Sequence, residues 1–338
     1  MLRPLQAADA HDVVTLLEWM DAHPEREVFA PVARELEDLR WECEDKKSLV
    51  YLDDLGTVRA YAGLTRYKEG YVLEGPLSRG GLVEPVLRGI LEHAGNDPIY
   101  AFAAKANRGV RDALEMAGFR AMHGTDFFKL SRRELSSKQV RVWPEIPQNF
   151  RLLPAFKVRF EDYLELYRSS EDVWTERLHW REDDYKRHFA RPELSLMVLE
   201  NRGDLLGFAE LETEGQTGTL AYLAVHPVHR GKGYGRVLLN QALREAFNQP
   251  DVMEFRARAH DHEGAARRLY ERTGFELERT VITYLLEDNE DVLNWASRII
   301  SSFLDSSICL CSGQNKLGIC SSEAQTRVCF ESGALPSA

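Results

Sequence analysis

The sequence predicts an α/β protein made of two tandem halves, each an antiparallel meander that feeds strand–helix units. Three observations carry this. Strand-like and helix-like segments follow one another in the same order twice. The two series close on similar turns, Ala117-Gly118-Phe119 and Thr273-Gly274-Phe275, about 150 residues apart. Finally, 338 residues are too many for one ordinary small domain and suit two, and 44% apolar residues with 10% aromatics supply real cores.

The second half shows the order most clearly. Residues 161–170 (EDYLELYRSS) and 175–190 (TERLHWREDDYKRHFA) have helical spacing, with Tyr163, Leu164 and Tyr167 on one side of the first. LSLMVLEN (194–201) reads as a strand, Asn201-Arg202-Gly203-Asp204 as a turn, and LLGFAELETE (205–214) as the returning strand. EGQTG turns the chain into TLAYLAVH (219–226), and a glycine-rich loop then leads to a helix over about 234–247. MEFRARAH (253–260) is a further strand, and EGAARRLYERTG (263–274) a helix with Gly274 placed as a C-cap. RTVITYLLE (279–287) closes the series. In the first half, the helix AHDVVTLLEWMDA (10–22) precedes strands at 48–54, 58–67 and 70–77. A helix near 82–95, the strand IYAFAAK (99–105) and NRGVRDALEMAGF (107–119) complete that half.

These textures predict one domain over 1–135, a polar, proline-bearing linker over 136–149 and a second domain over 150–290. A helix follows over 291–304, with Val292, Trp295, Ala296, Ile299 and Phe303 at helical spacing. The remainder, to 338, reads as a disordered Ser/Cys-rich tail. A net charge of -11 excludes a general nucleic-acid binder, which needs a basic surface. It suits a cationic acceptor. No apolar run is long enough to span a bilayer, and the first 20 residues lack a secretory h-region, so the expectation is a cytoplasmic protein with no membrane partner. Cys43 stands alone in the first 300 residues, while Cys309, Cys311, Cys320 and Cys329 crowd the end without the paired knuckles of a zinc site. No metal is expected.

One stretch carries chemistry: HPVHRGKGYGRVLLNQAL, residues 226–243. Glycines at the start of a helix cost about 1 kcal/mol each relative to alanine, so a bound group should offset them. A strand, a glycine-rich loop and a helix amino end together make an anion cradle, and Arg230, Lys232 and Arg236 add charge. A P-loop does not fit, because Gly233 follows Lys232 where Ser or Thr is needed. The dinucleotide pattern fails too, because Arg236 or Leu238 stands at its last glycine.

What fits is R-x-x-G-x-G, as Arg230, Gly231, Lys232, Gly233, Tyr234 and Gly235. Here the chain resembles the GNAT superfamily of N-acetyltransferases. AARRLYERTGFE is similar to that family's second cofactor segment, through Ala266, Leu269, Tyr270, Gly274 and Phe275, about 35 residues after the first. The resemblance covers roughly 150–287 and implies, for each half, a mixed, mostly antiparallel splayed sheet flanked by helices. It implies acetyl-CoA as co-substrate, with its pyrophosphate on the loop from Arg230 to Arg236 and its pantetheine arm along Leu223, Ala224 and Val225. It implies direct transfer of acetyl to a small-molecule or peptide amine, with Tyr270 as the acid that protonates the departing thiolate. An acyl-enzyme is not expected, because the second half contains no cysteine.

An ammonium group near pKa ~10.4 must also lose a proton. For that base the candidates are Glu210, taken first, then Glu212, Tyr222 and His226; the glutamates equally fit a solvent-facing strand edge. Asp172, Trp174, Glu176 and Trp180 are candidates for acceptor recognition, against ordinary packing and solvated charge. Glu263 departs from the family's asparagine. In the first half, GPLSRGGLVEP keeps Arg79, Gly80 and Gly81 but lacks K-G-x-G, Leu114 replaces the tyrosine, and Asn107 survives. That implies a degenerate, non-catalytic repeat, for which shaping the acceptor site and retaining a ligand pocket are both open. The rival to an enzyme is a non-catalytic acyl-CoA-binding sensor or interaction module, and monomer and homodimer are both open.

Overall fold

Among the described residues, twelve strands join in one sheet that runs through both halves. In this computed structural model the described residues are 1–39, 47–67, 70–94, 97–133, 146, 148–170, 175–287, 308–309, 316–322 and 325–331, with backbone alone for 175–176 and for those after 287. The first half contributes β1 (Leu2–Pro4), β2 (Lys47–Leu52), β3 (Val58–Tyr67), β4 (Gly70–Ser78), β5 (Ile99–Ala104) and β6 (Arg120–Ser131). The second contributes β7 (Phe150–Pro154), β8 (Leu194–Asn201), β9 (Asp204–Glu214), β10 (Thr217–Val225), β11 (Glu254–His260) and β12 (Glu276–Leu286). Helices α1 (Ala10–Asp21), α2 (Val83–Leu91) and α3 (Arg108–Met116) belong to the first half. Helices α4 (Phe160–Arg168), α5 (Thr175–Leu178), α6 (Glu182–Phe189), α7 (Tyr234–Asn248) and α8 (Gly264–Thr273) belong to the second.

The helices form where the apolar pattern says they should. In α7, Leu238, Leu239, Ala242, Leu243 and Ala246 are buried and pack on the strands below. At the end of α8, Gly274 adopts a left-handed φ of 99° and its N–H donates to Glu271 O, which stops the helix where a C-cap was predicted. Residues 175–190 are not one helix. The chain breaks between α5 and α6, and Asp184 accepts the Arg181 N–H to start the second piece.

The strand order is β1-β2-β3-β4-β5-β12-β6-β11-β10-β9-β8-β7. The halves therefore do not keep separate sheets. β6 leaves the first half to pair antiparallel with β11, and β12 leaves the second half to pair antiparallel with β5. β6 and β12 also pair with each other at the seam. The exchange carries side chains with it: Phe128 and Leu130 of β6 join the second half's core, and Tyr284 of β12 joins the first half's. Each half thus lacks part of its own core when separated. We expect one cooperative unfolding transition by calorimetry; two resolved transitions would show that the halves fold independently.

The helix predicted over 291–304 lies outside the described residues, as does most of 136–149. Among the described residues after 304 are three strands, β13 (Ile308–Cys309), β14 (Lys316–Ser322) and β15 (Gln325–Glu331), paired in the order β13-β15-β14. Alternation in β14 and β15, such as Val328 and Phe330, is the short period-two signal that the polar composition masks.

Candidate active site

The site exists because two neighbouring parallel strands part company. β10 and β11 pair only across Thr217↔Glu254, Gly218↔Phe255 and Thr219↔Arg256. Just beyond, β10 bulges: Leu220 faces Leu211 and Tyr222 faces Glu210, leaving Ala221 as the extra residue. A bulge bends its strand and turns it away from its neighbours. The result is a cleft of about 1590 Å³ between the strands, bordered by α7 and α8.

Every residue predicted for the cofactor lies along this cleft: Leu223, Ala224 and Val225 on β10, the whole run from Arg230 to Arg236, and Tyr270 on α8. The loop first makes a tight turn over Pro227–His229, then passes Gly231 at φ 75° and Gly233 at φ 86°. Gly233 is the N-cap of α7, so the helix starts at the cleft's rim with its positive end there. Arg230 is braced through Nε to Val225 O at 3.0 Å, and Lys232 through Nζ to Val228 O at 3.2 Å. Tyr270 is buried, with its ring 5.4 Å from that of Phe128 and 5.6 Å from that of Phe275. The exchanged strand β6 therefore supports it directly.

The local charge is opposite to the global one. Among the described lining residues, Arg230, Lys232, Arg236, Arg258, Arg268 and Arg272 stand against the carboxylate of Glu263. This is a cleft that draws an anion into an acidic protein. Glu263, the departure from the family's asparagine, accepts the His260 N–H at 2.7 Å and so holds the turn between β11 and α8. Burial, and then Arg258, push the His260 imidazole below its ordinary range, so it borders the cleft as a neutral ring.

Glu210 is elsewhere. It is 1% exposed, outside the cleft lining, and takes both guanidinium nitrogens of Arg177 at 2.6 and 2.9 Å and His188 Nε2 at 2.8 Å. Burial alone would raise its pKa, but Arg177 and His188 outweigh it and hold the carboxyl well below the carboxylate range. A carboxylate so committed is not set up to collect a proton from an amine, which corrects the leading choice of base. The Arg177 guanidinium also lies 4.9 Å from the Trp180 ring centroid, and Trp180 packs against His188 rather than lining the cleft. Glu212 pairs with Arg191 at 3.1 Å. His226 packs 5.7 Å from His229 and is not a lining residue. Of the candidate bases only Tyr222 borders the cleft, with its hydroxyl 3.0 Å from Ser170 Oγ. Asp172 and Trp174 lie outside the described residues, as does the side chain of Glu176.

Asn240 and Arg258 line the cleft and were not singled out from sequence. Their signals were present: the amide of Asn240, next to Gln241, interrupts the apolar run VLLNQAL, and Arg256, Arg258 and His260 alternate with alanines along β11. Among the described residues no group of three or more His, Cys, Asp or Glu is placed to hold a metal ion, and no helix is long and apolar enough to cross a membrane.

Residues 160–275, which contain the parted strands, the loop and α8, match the sequence model of the Acetyltransferase (GNAT) family. This segment is a GNAT domain. A mycothiol acetyltransferase from Amycolatopsis mediterranei (strain U-32) is 34% identical over 100 residues, which is 29% of this chain and 31% of that protein. One from Streptomyces bingchenggensis (strain BCW-1) is 39% identical over 85 residues, 25% of this chain and 26% of that protein. The chain thus spans under a third of the length of these curated relatives. Among solved structures, a GCN5-related N-acetyltransferase from Sphaerobacter thermophilus has a TM-score of 0.60 at 16% identity, covering 86% of this chain and 97% of that one. A tandem GNAT protein from the clavulanic acid biosynthesis pathway has a TM-score of 0.57 at 15% identity, covering 86% and 99%. At these identities the likeness is one of fold, and its coverage reaches beyond the GNAT segment into the first half.

Proposed function

We propose that the protein is an acetyl-CoA-dependent N-acetyltransferase that acts in the cleft between β10 and β11. The observation that carries this reading is the parting of those strands over a slot rimmed, among the described residues, by six cations and one carboxylate, with the amino end of α7 at its mouth. The loop from Arg230 to Arg236 binds the CoA diphosphate through backbone amides and charge. The peptide groups of Leu223 to Val225, freed from β11 by the splay, bond the pantetheine amides as a neighbouring strand would.

The neutral amine attacks the thioester carbonyl carbon, the C–S bond breaks, and the Tyr270 hydroxyl donates its proton to the departing thiolate. With Glu210 held by Arg177, the amine's proton leaves through solvent in the cleft. The acceptor is a small-molecule amine or a peptide amine.

The test is release of CoA thiol from acetyl-CoA across a panel of amines. Turnover with one of them supports the reading; one-to-one binding without turnover on any would favour a sensor. Tyr270→Phe keeps the ring contacts with Phe128 and Phe275 and removes only the hydroxyl. It is expected to lower kcat by roughly 100-fold, while acetyl-CoA affinity and the unfolding midpoint stay close to those of the parent. An unchanged kcat would remove Tyr270 from the reaction.

A further inference from the structure

The first half has its own pair of parting parallel strands. β4 and β5 pair only across Tyr71↔Ile99 and Val72↔Tyr100. β4 is irregular against β3 between Tyr61 and Gly63, and there Gly75 takes φ +88°, where a Cβ would lie 2.8 Å from both Leu77 N and Tyr61 O. In fold position this is the counterpart of the Ala221 bulge. Its slot, however, is filled.

Residues 26–30 run into the gap between β4 and β5 and bond to both. Gly75 N–H donates to Phe29 O at 2.6 Å, Phe29 N–H to Phe102 O at 3.2 Å, and Ala104 N–H to Glu27 O at 2.8 Å. Val28 bridges Ala103 antiparallel. Val28, Phe29 and Ala30 are completely buried. Both flanks are tied down: the Glu27 carboxylate meets Arg279 of β12 at 2.6 Å, and Asn107 Nδ2 donates to Arg26 O at 2.9 Å. Asn107, the family-like residue that survives in this half, is thus engaged with the chain itself.

We infer that the first half's slot is occupied by the chain's own residues 26–30 and admits no acyl-CoA, so each chain carries one cofactor site. The segment acts as a built-in extra strand, supplying to β4 and β5 the hydrogen bonds that a pantetheine arm would otherwise supply. Displacing it would strip three backbone hydrogen bonds and expose fully buried side chains, and a ligand could at best restore the hydrogen bonds. That the remaining site is in the second half rests on the proposed function; closure of the first half does not.

Hydrogen–deuterium exchange with single-residue fragmentation, with and without saturating acetyl-CoA, tests this beside a calorimetric titration. The amides of Phe29, Gly75 and Ala104 should exchange at least ~100-fold more slowly than exposed loop amides. Acetyl-CoA should leave them unchanged while slowing residues 221–236. Titration should give one equivalent for the parent and, for Gly233→Glu, no equivalent at the parent's affinity. Two equivalents in the parent, one of parent-like affinity surviving in the variant, or ligand-dependent exchange at Gly75 or Ala104 would overturn the inference. If no acetyl-CoA binds but the three amides are protected, closure stands and the second-half reading falls. If those amides exchange freely, closure falls whatever the second half does.

Discussion

Gly233→Glu is expected to weaken acetyl-CoA binding by about 100-fold or more, and Gly233→Ala by far less. Two effects are separable at this position. Gly233 holds φ 86° as the N-cap of α7, a conformation that costs an L-residue about 1 kcal/mol. No heavy atom lies within 4 Å of where its Cβ would stand, so there is no clash to add. The alanine variant therefore reports backbone strain alone. Glutamate adds a negative charge at the helix's positive end, beside a ligand diphosphate. At roughly 6 Å and an effective dielectric of 20, one pair of like charges costs about 3 kcal/mol, or about 100-fold in affinity. Calorimetry at low and high salt measures both parts, since the charge effect shrinks as ions screen it. Equal losses in the two variants would mean that loop conformation, and not charge, governs binding. Parent-like affinity in the glutamate variant would remove the loop from cofactor binding.

The second large effect concerns stability. Glu210→Ala is expected to lower the free energy of unfolding by about 3–5 kcal/mol, because Arg177 is left buried without its counter-charge. Arg177 and Glu210 have side-chain exposures of 6% and 1%, so water cannot easily replace the lost partner. Removing both charges together, as Glu210→Leu with Arg177→Met, should recover much of that loss, since two apolar side chains leave no unpaired ion. Urea denaturation of the parent, the single variant and the double variant measures this. If the single and double variants are equally destabilised, shape rather than charge is what the cluster provides.

The same pair predicts an acid dependence. Glu210 is held below its ordinary carboxylate range in the folded state, so the unfolded chain binds the proton first as pH falls. Its contribution is fully present above about pH 4.5, the ordinary range of the unfolded carboxyl. It is lost progressively as acidity rises toward the depressed folded value. Between pH 7 and pH 3 the parent should therefore lose stability more steeply than the Leu/Met double variant; parallel curves would exclude Glu210 as a source of that acid sensitivity.

Much of the cleft between β10 and β11 was legible because its signals are local. The run from Arg230 to Gly235 sits within one strand–loop–helix connection, where a glycine's tolerance of positive φ, a helix's amino end and nearby cations act within a few residues of one another. Tyr270 was legible for a similar reason, as one residue of a helix with its own period and its own Gly274 stop. Glu210 misled because strand alternation places it beside the cleft strand but says nothing of Arg177, 33 positions away, which neutralises it.

The order of elements, the repeat and the anion loop were thus written into neighbouring residues, through hydrophobic period, turn chemistry and charge. Two features were not: the exchange of β6 and β12, and the closing of the first slot by residues 26–30. A strand's pattern specifies which face is buried but not which partner supplies its hydrogen bonds. Since both halves follow the same order, β6 satisfies its pattern beside β11 as well as it would beside β5. Likewise Val28 and Phe29 carry no period that distinguishes a buried loop from a strand inserted between two others. Those choices were made where distant segments competed for the same backbone donors and the same apolar space, and that competition takes place only in the folded chain.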